Sequence, residues 1–509
     1  MSQETSVNNK RIAKNTLFLY MRMIVVMAIG LYTVRAILEL LGVVDYGIYN
    51  VVGGVVSMFS FLNSTLATSS QRYFSIELAK GDKKRLNQWV CLNITTFSIF
   101  ILIFFVIAET IGLWFVNTQM TIPEERMFAA NVVYQLSILT FCIHFFNVPY
   151  NALIIAHERM SAFAYISIIE AASKLVIVFL LSISTWDKLI VYGVLMFFVS
   201  CGITSSYIVY NLRHFEEAKF RPYWNTAEMK ELLGFSGWHF FGTFSVVIRS
   251  QGINILLNLF FNPAINAARA VAYQVYHAVS QLSSNFFTAV KPQMYKSYAA
   301  GDMAGLYNLI MRSTVMCSLL VSILIYPVLA NTQYILEMWL HEVPEYAIIF
   351  TQLVLINGLI DSTNGPTIAS ALATGKIRKF YEVVATLTIM NFPVSYLALK
   401  LGAEPTVTLQ VSIYISLISA LARGYMLRSM IGFPFGRYVV LLTKIIVASL
   451  LICGMTYYSI YNTVNNFLSF IMCSLALDVI VVVVYLGLVF DKGDIKQIYE
   501  FVRLKIKDK

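Results

Sequence analysis

The stretch ITTFSIFILIFFVIA, residues 94–108, decides the fold class of this 509-residue chain. It lies within residues 86–108, a run without a charged side chain. A helix of about 20 apolar residues crosses the hydrocarbon core of a bilayer. The whole chain shares this character, since 58% of its residues are hydrophobic and 13% are charged, against roughly 25% charged in soluble domains. The sequence therefore predicts an integral membrane protein.

Similar apolar stretches recur along the chain and predict an all-α fold, because helices satisfy every backbone hydrogen bond inside lipid. We expect about 14 transmembrane helices, at residues 15–38, 44–70, 87–115, 128–155, 162–184, 188–211, 236–261, 264–290, 309–331, 345–373, 379–400, 405–428, 438–460 and 466–490.

Charge in the short connections predicts the orientation, since Lys and Arg stay on the cytoplasmic side. Alternate connections are basic, as in Lys83, Lys84 and Arg85, and those between them are acidic, as in Glu124 and Glu125. Both termini are therefore expected in the cytoplasm. The net charge of +10 follows from this asymmetry and from anionic headgroups, so we expect membrane lipids and no nucleic acid as partners.

The sequence contains no metal-binding cysteine motif and no nucleotide-binding motif. The six cysteines are scattered singly in apolar helices without CxxC spacing, and no GxxxxGK[ST] motif occurs. These features favour a transporter over an enzyme, with no catalytic residue, metal ligand or cofactor expected other than Na+ or H+ as a coupling ion.

The two halves of the chain repeat one another. Pro149-x2-Ala152-x3-Ala156-x2-Arg159-x3-Phe163 aligns with Pro366-x2-Ala369-x3-Ala373-x2-Lys376-x3-Phe380, and Gly81-Asp82 with Gly301-Asp302. Transporters are commonly built from such repeats. We therefore predict two six-helix lobes, 1–215 and 236–430, related by a pseudo-twofold axis.

Three further segments complete the expected organisation. Residues 216–235 contain Asn225-x2-Glu228, which predicts a capped amphipathic helix on the cytoplasmic surface. Residues 431–490 hold two additional spans. Residues 491–509 form a basic cytoplasmic tail whose stripe Ile495, Ile498, Val502 and Ile506 favours a membrane-surface helix.

We single out five basic residues within the expected spans: Arg22, Arg35, Lys174, Arg249 and Arg269. An arginine at mid-bilayer costs roughly 2.5–3.5 kcal/mol on insertion scales, so it is retained where it binds, pairs or faces a wet cavity. Arg249 is the deepest and has no acid at helical spacing. It is a candidate binding residue, with pairing to an acid on another helix as the alternative.

The other four cations have weaker or competing interpretations. Arg22 lies near enough to the cytoplasmic end of its span to reach the headgroups, and Arg269 lies at a similar depth from the outer side. Arg35 has Glu39 four residues on, which favours a surface pair. Lys174 follows Glu170 by four residues, which predicts a neutralised pair that is also a candidate for coupling.

Amides and hydroxyls line the helices around Arg249. The stripes are Gln251, Asn254 and Asn258 in the seventh span, and Gln274, His277, Gln281 and Asn285 in the eighth. Amides suit sugar hydroxyls, and the guanidinium fork suits phosphate oxygens. The combination indicates a glycan phosphate as the substrate.

With these features the chain resembles the polysaccharide exporters of the multidrug/oligosaccharidyl-lipid/polysaccharide (MOP) flippase superfamily, the O-antigen and capsule flippases in particular. The resemblance covers nearly the whole chain. It rests on Leu41-Gly42-x2-Asp45-Tyr46-Gly47-Ile48-Tyr49, the Gly81-Asp82 turn, the Pro149 and Pro366 helices and the fourteen spans.

The resemblance implies two lobes around a V-shaped central cavity that alternates between inward and outward openings. It implies a multi-pass protein of the bacterial inner membrane that flips polyprenyl-pyrophosphate-linked oligosaccharide, with a polysaccharide polymerase as a further partner. Related lipid II flippases carry cavity arginines at places comparable to Arg22, Arg249 and Arg269, which are therefore expected to hold the pyrophosphate.

Other functions remain open from the sequence. A lipid II-type flippase and a cation-coupled multidrug antiporter are alternatives within the superfamily, and a scaffold or channel-like subunit of a glycan assembly complex is a third. An antiporter needs intramembrane acids, for which Asp361, Glu170 and Asp478 are candidates. Asp361 precedes Ser362-Thr363-Asn364-Gly365-Pro366, which predicts a helix break that suits a coupling ion.

Overall fold

The computed structural model describes residues 3–57, 60–118, 122–261, 263–340, 343–460 and 466–491. Nearly all of these residues are helical, and no strand occurs among them. The predicted all-α membrane fold is confirmed. The predicted stripe of the basic tail lies outside the described residues, as do the side chains of Arg35 and Asn258.

The chain divides into two compact units, Met1–Phe240 and Phe241–Lys509. The first unit contains α1 (Gln3–Ser57), α2 (Ser60–Lys80), α3 (Lys83–Ile107), α4 (Leu113–Thr118), α5 (Met127–Ala156), α6 (Met160–Ile183) and α7 (Lys188–His214). The next helix, α8 (Thr226–Phe260), crosses the boundary between the units. The second unit continues with α9 (Pro263–Ala299), α10 (Met303–Ala330), α11 (Thr332–Trp339), α12 (Ala347–Asp361), α13 (Asn364–Thr374), α14 (Arg378–Ile389), α15 (Asn391–Lys400), α16 (Val407–Ile431), α17 (Phe435–Ile460) and α18 (Phe467–Val484).

Ten spans among the described residues are long and apolar enough to cross a membrane, and the bent pair α12 and α13 makes an eleventh. They correspond to the expected spans three to seven and nine to fourteen. The first two expected spans fall on α1 and α2, with α1 kinked at Gly42 (φ 76°). The eighth falls on α9, whose amides and serines make it more polar. The count of fourteen therefore stays a prediction.

The predicted repeat has local counterparts in both units. Gly81 (φ 75°) and Gly301 (φ 73°) each adopt the left-handed conformation that glycine permits. Asp82 and Asp302 then cap α3 and α10, each accepting a hydrogen bond from the backbone N–H three residues on, at 2.9 and 2.8 Å. The same sequence pair thus starts a helix by the same capping geometry in each unit.

The second repeated segment differs between the units. Glu158 (φ 59°), after Pro149, and Gly375 (φ 74°), after Pro366, both adopt left-handed backbone at the end of a helix. However, α5 continues unbroken through Pro149, whereas its counterpart is split into α12 and α13 with a bend of 41°. The helix break predicted after Asp361 is confirmed.

The segment 216–235 is tied to the first unit. The predicted cap is present, because the Asn225 Oδ1 accepts hydrogen bonds from the backbone N–H groups of Ala227 and Glu228 at 3.0 and 3.3 Å. Arg85 donates to Glu228 at 2.6 Å. The helix that starts here continues without interruption to Phe260, so residues 226–235 begin the helix that carries Arg249, and their position at the cytoplasmic surface stays a prediction.

The last two helices pack into the second unit. Leu441 and Ile445 of α17 and Val481 of α18 share one buried cluster with residues of α10. The hydroxyl of buried Tyr485 lies 2.7 Å from that of Ser318 and 2.9 Å from that of Ser322. These contacts make the two C-terminal spans part of the second unit's core.

Candidate substrate and coupling site

Arg249 lies within electrostatic range of two other arginines of the second unit. Arg249 of α8 is half-buried, whereas Arg269 of α9 and Arg423 of α16 are only 4% and 6% exposed. Arg249 interacts electrostatically with each of the other two. Among the described residues, no ion pair joins these three arginines to a carboxylate. The arrangement creates a region of positive potential, which suits an anionic ligand.

Arg269 is held by the amide stripe predicted in the seventh span. Its guanidinium donates a short hydrogen bond to the Asn254 Oδ1 and lies over the Tyr273 ring, 4.5 Å from the centroid. The Asn254 amide donates in turn to the Gln251 Oε1 at 3.0 Å. The Arg269 Nε is buried and has no partner among the described atoms. Burial of an incompletely satisfied guanidinium is costly, and an anion at this point would remove that cost.

The stripe predicted in the eighth span lies on an exposed face of α9. Gln274, His277 and Gln281 are exposed, whereas Asn285 is buried. The exposed residues are available to a polar ligand on this side of α9. They make no described hydrogen bond to Arg249, so their predicted role in hydrating sugars stays a prediction.

Asp361 is the centre of a hydrogen-bond network at the helix break. Its carboxylate accepts from the amides of Asn357 and Asn364, both at 2.8 Å, and from the Ser416 hydroxyl at 3.1 Å. Arg423 donates a short hydrogen bond to the Asn364 Oδ1. Asn364 therefore links the Asp361 carboxylate to Arg423.

A cavity of 160 Å³ adjoins Asp361. Ser280, Ser283 and Ser284 of α9 line it from one side, and Asp361 and Ser362 from the other. Hydroxyl and carboxylate oxygens are the ligands that hard cations prefer. The Asp361 site therefore has the chemistry for a small cation or a proton, separate from the guanidinium groups that suit an anion.

The first unit places Arg22 beside a second group of charges. The Arg22 guanidinium lies over the Phe163 ring, 4.6 Å from the centroid, and interacts electrostatically with Glu170 and Tyr207. Lys174 donates to Glu170 at 3.1 Å, so the predicted pair forms. Glu170 thus interacts with two cations, Lys174 and Arg22. Sequence spacing predicted only the pair with Lys174.

Sequence reasoning missed several polar residues within the helices. Arg423 lies inside the expected span 405–428, and its charge there was the available signal. Arg72 is 6% exposed and lies between the rings of Tyr73 and Phe235, at 4.7 and 4.8 Å. His144, whose ring nitrogen lies 3.1 Å from the Ser200 hydroxyl, interacts electrostatically with Glu170. Nothing in the local sequence around His144 indicates that contact.

Comparison with protein families and curated proteins gives two matches. The family described as "Polysaccharide biosynthesis protein" matches residues 12–297, more than half of the chain. The uncharacterized membrane protein EpsK of Bacillus subtilis (strain 168) is 20% identical over 274 residues, which are 53% of this chain and 54% of that protein. The chain thus spans about half the length of this curated relative.

Solved transporter structures share the fold. A MATE mutant has a TM-score of 0.70 at 10% identity, covering 82% of this chain and 97% of its own. The MATE transporter ClbM in complex with Rb+ has a TM-score of 0.65 at 13% identity, covering 82% and 95%. A MOP superfamily transporter from Pyrococcus furiosus, described as having a binding pocket of reverse polarity that suggests a different function, has a TM-score of 0.66 at 9% identity, covering 82% and 96%. At these identities the likeness shows the fold alone.

Proposed function

Since the chain belongs to the polysaccharide biosynthesis protein family and has the fold of MOP-superfamily transporters, we propose that it flips a lipid-linked oligosaccharide across the membrane. The substrate is a repeat unit of O-antigen, capsule or exopolysaccharide on a polyprenyl pyrophosphate. It moves from the cytoplasmic to the outer leaflet of the bacterial inner membrane by alternating access. A polysaccharide polymerase is the expected recipient.

The observation that carries this proposal is the group formed by Arg249, Arg269 and Arg423. In a site of low dielectric constant, guanidinium groups attract a pyrophosphate far more strongly than they do in water. Arg249 is the member best suited to contact the ligand, because it is half-buried and its guanidinium is not engaged by a described carboxylate. Arg22 stays a predicted contributor from the first unit.

Release of so strongly held an anion is the harder step, and Asp361 supplies a mechanism for it. When a cation or proton leaves Asp361, the negative charge of its carboxylate is restored and balances Arg423 through Asn364, which weakens the attraction for the anion. We assign the coupling role to Asp361 on this ground, ahead of Glu170 and Lys174, which already neutralise each other. Transport by the unmodified protein that is indifferent to both Na+ and pH gradients would remove this coupling step.

The multidrug antiporter is the second candidate, favoured by the MATE structures that share the fold. An antiporter takes cationic substrates, and the positive charge of Arg249, Arg269 and Arg423 opposes an organic cation at this position. The difference in ligand charge separates the two candidates in a single assay.

The test is transbilayer movement of a pyrophosphate-linked oligosaccharide lipid in proteoliposomes. We compare the unmodified protein, Arg249→Ala and Arg249→Lys at matched abundance, with Arg378→Ala as a control, because Arg378 is exposed and paired with Glu382 at 2.8 Å. Loss of a charge-assisted hydrogen bond weakens binding by roughly 10- to 150-fold. Arg249→Ala should therefore slow transport at least tenfold at low substrate concentration.

Two outcomes would contradict the proposal. Movement that is unchanged in Arg249→Ala would mean that this arginine is not part of the binding site. Uptake of an organic cation without any movement of the glycolipid would mean that the protein is an antiporter. Arg249→Lys should be intermediate, because lysine keeps the charge but lacks the planar fork.

A further inference from the structure

An acidic side chain lies in the middle of the last expected span. Asp478 is at the midpoint of residues 466–490, and no other residue of that span is charged. A charged group at this depth is costly, and intramembrane acids usually pair with another group or take part in function. The coupling role assigned to Asp361 makes no use of Asp478, so the position of Asp478 requires a separate explanation.

Within the part of the chain that the structure describes, Asp478 has no hydrogen-bond or ion-pair partner. Its Oδ1 is buried, but it accepts no hydrogen bond from those residues. The Ser474 hydroxyl, one turn before Asp478 on α18, donates instead to the Phe470 carbonyl at 2.8 Å. Lys444, a cation of the neighbouring α17, pairs with Asp491 beyond the end of α18, at 3.3 Å. Neither Ser474 nor Lys444 therefore satisfies Asp478.

Asp478 lies on an open face of α18. One stripe of this helix packs into the second unit through Leu477 and Val481, which are fully buried. A second stripe runs beside it, and we call this stripe the Asp478 seam. It comprises Leu468, Ile471, Leu475, Asp478 and Val482, at alternating intervals of three and four residues. Its apolar residues are 37–69% exposed, and its spacing is that by which one helix packs along another.

We propose that the Asp478 seam binds a transmembrane helix of another membrane protein, and that this helix presents an arginine or lysine to Asp478. Because any membrane span is apolar, the apolar members of the seam supply packing without selecting a partner. The carboxylate selects the partner, since a cation on the second helix satisfies Asp478. A polar residue at one position of a seam also fixes the register of two paired helices. This proposal does not depend on the nature of the transported substrate.

Other occupants fit the Asp478 seam less well. Lipid headgroups and soluble proteins stay outside the hydrocarbon core, whereas Asp478 lies at the midpoint of a span. A second copy of this chain in a twofold contact would place two Asp478 side chains together, and adjacent carboxylates repel each other. The lysine-rich sequence after Asp491 begins about 20 Å along the helix from Asp478, at a rise of about 1.5 Å per residue. A basic helix of another protein is therefore the matching partner.

The test measures association with model helices in neutral phosphatidylcholine vesicles, by energy transfer between a labelled peptide and the labelled full-length protein. The probe is a leucine-rich peptide of about 20 residues with one central arginine, and the reference peptide has leucine at that position. Polar contacts strengthen the association of model transmembrane helices by roughly five- to thirtyfold. The unmodified protein should therefore bind the arginine peptide at least about fivefold more tightly than the leucine peptide.

Two variants and a control assign this preference to Asp478. Asp478→Leu should abolish it, and Asp478→Asn should reduce it, because the amide is polar but carries no charge. Glu109→Gln is the matched control, because Glu109 is another acid within an expected span but accepts a hydrogen bond from Gln135 at 3.0 Å. The preference should be unchanged in this control. A peptide with its arginine moved to one end should bind like the leucine peptide, since the two charges are no longer at the same depth.

Three kinds of result would overturn the proposal. Equal affinities of the unmodified protein for the arginine and leucine peptides would mean that Asp478 does not attract a basic helix. A preference that persists in Asp478→Leu, or that disappears in Glu109→Gln, would mean that the peptide is recognised elsewhere. Energy transfer between two labelled copies of the protein that is lost in Asp478→Leu would show that a second copy occupies the seam instead.

Discussion

Replacement of Asn364 by alanine should destabilise the second unit far more than removal of an ordinary buried asparagine. Asn364 donates to the Asp361 carboxylate at 2.8 Å and accepts from Arg423, so both of its side-chain hydrogen bonds involve a charged group. A hydrogen bond to a charged group contributes about 1.5–3 kcal/mol, against about 0.5–1.5 kcal/mol for a neutral one. We therefore expect Asn364→Ala to cost about 3 kcal/mol.

Asn391→Ala is the matched control. Asn391 of α15 is fully buried and donates to the hydroxyl of Ser412 of α16 at 2.8 Å. It also accepts a long hydrogen bond from the Ser395 hydroxyl at 3.5 Å, and all of these groups are neutral. Loss of these bonds should cost about 1 kcal/mol. The difference of about 2 kcal/mol corresponds to roughly a thirtyfold change in the unfolding equilibrium constant.

The assay is reversible unfolding in mixed micelles, with the free energy of unfolding measured for both variants and for Asn364→Ala combined with Arg423→Met. The double variant should recover part of the loss, because the charge that Asn364 satisfied is gone. Equal destabilisation by Asn364→Ala and Asn391→Ala would refute the reasoning, since it would mean that Arg423 does not depend on Asn364 for its burial.

Three further predictions concern other parts of the chain. The hydrogen bond from Arg126, opposed by partial burial, holds the pKa of Asp187 below its usual range. Asp187→Asn should therefore lower the thermal midpoint at pH 7, and the difference in midpoint from the unmodified protein should disappear as the pH falls below about 4, where Asp187 becomes protonated. A difference that stays constant with pH would contradict this. Gly301→Ala should lower the free energy of unfolding by about 1 kcal/mol, because Gly301 has left-handed backbone. Gly237→Ala should raise it by up to about 1 kcal/mol, because Gly237 lies in a helix with open space at its Cβ position. Equal free energies of unfolding for the two variants would refute the comparison. Lys174→Met should change stability by less than about 1 kcal/mol, because Glu170 keeps its electrostatic interaction with Arg22. A larger loss in the same unfolding assay would show that Arg22 does not replace Lys174 as the partner of Glu170.

The sequence predicted the features that depend on neighbouring residues. The membrane class follows from apolar runs such as 94–108, and the two turns at Gly81-Asp82 and Gly301-Asp302 follow from the repeated Gly-Asp pair. The break in the helix after Asp361 follows from the segment Ser362-Thr363-Asn364-Gly365-Pro366. Each of these is set within a few residues of chain, where backbone conformation and capping determine the outcome. The resemblance to polysaccharide flippases is confirmed by the family match.

The pairing of charges was decided by tertiary structure alone. Spacing identified Arg249 and Arg269 as candidates, but it did not bring Arg423 to them or show that Asn254 holds Arg269. Sequence spacing likewise connected Glu170 with Lys174 and not with Arg22. A hydrogen bond between two helices depends on how each is rotated about its axis and how far it is shifted along it. Those quantities are fixed by the packing of the whole unit, which no short stretch of sequence encodes.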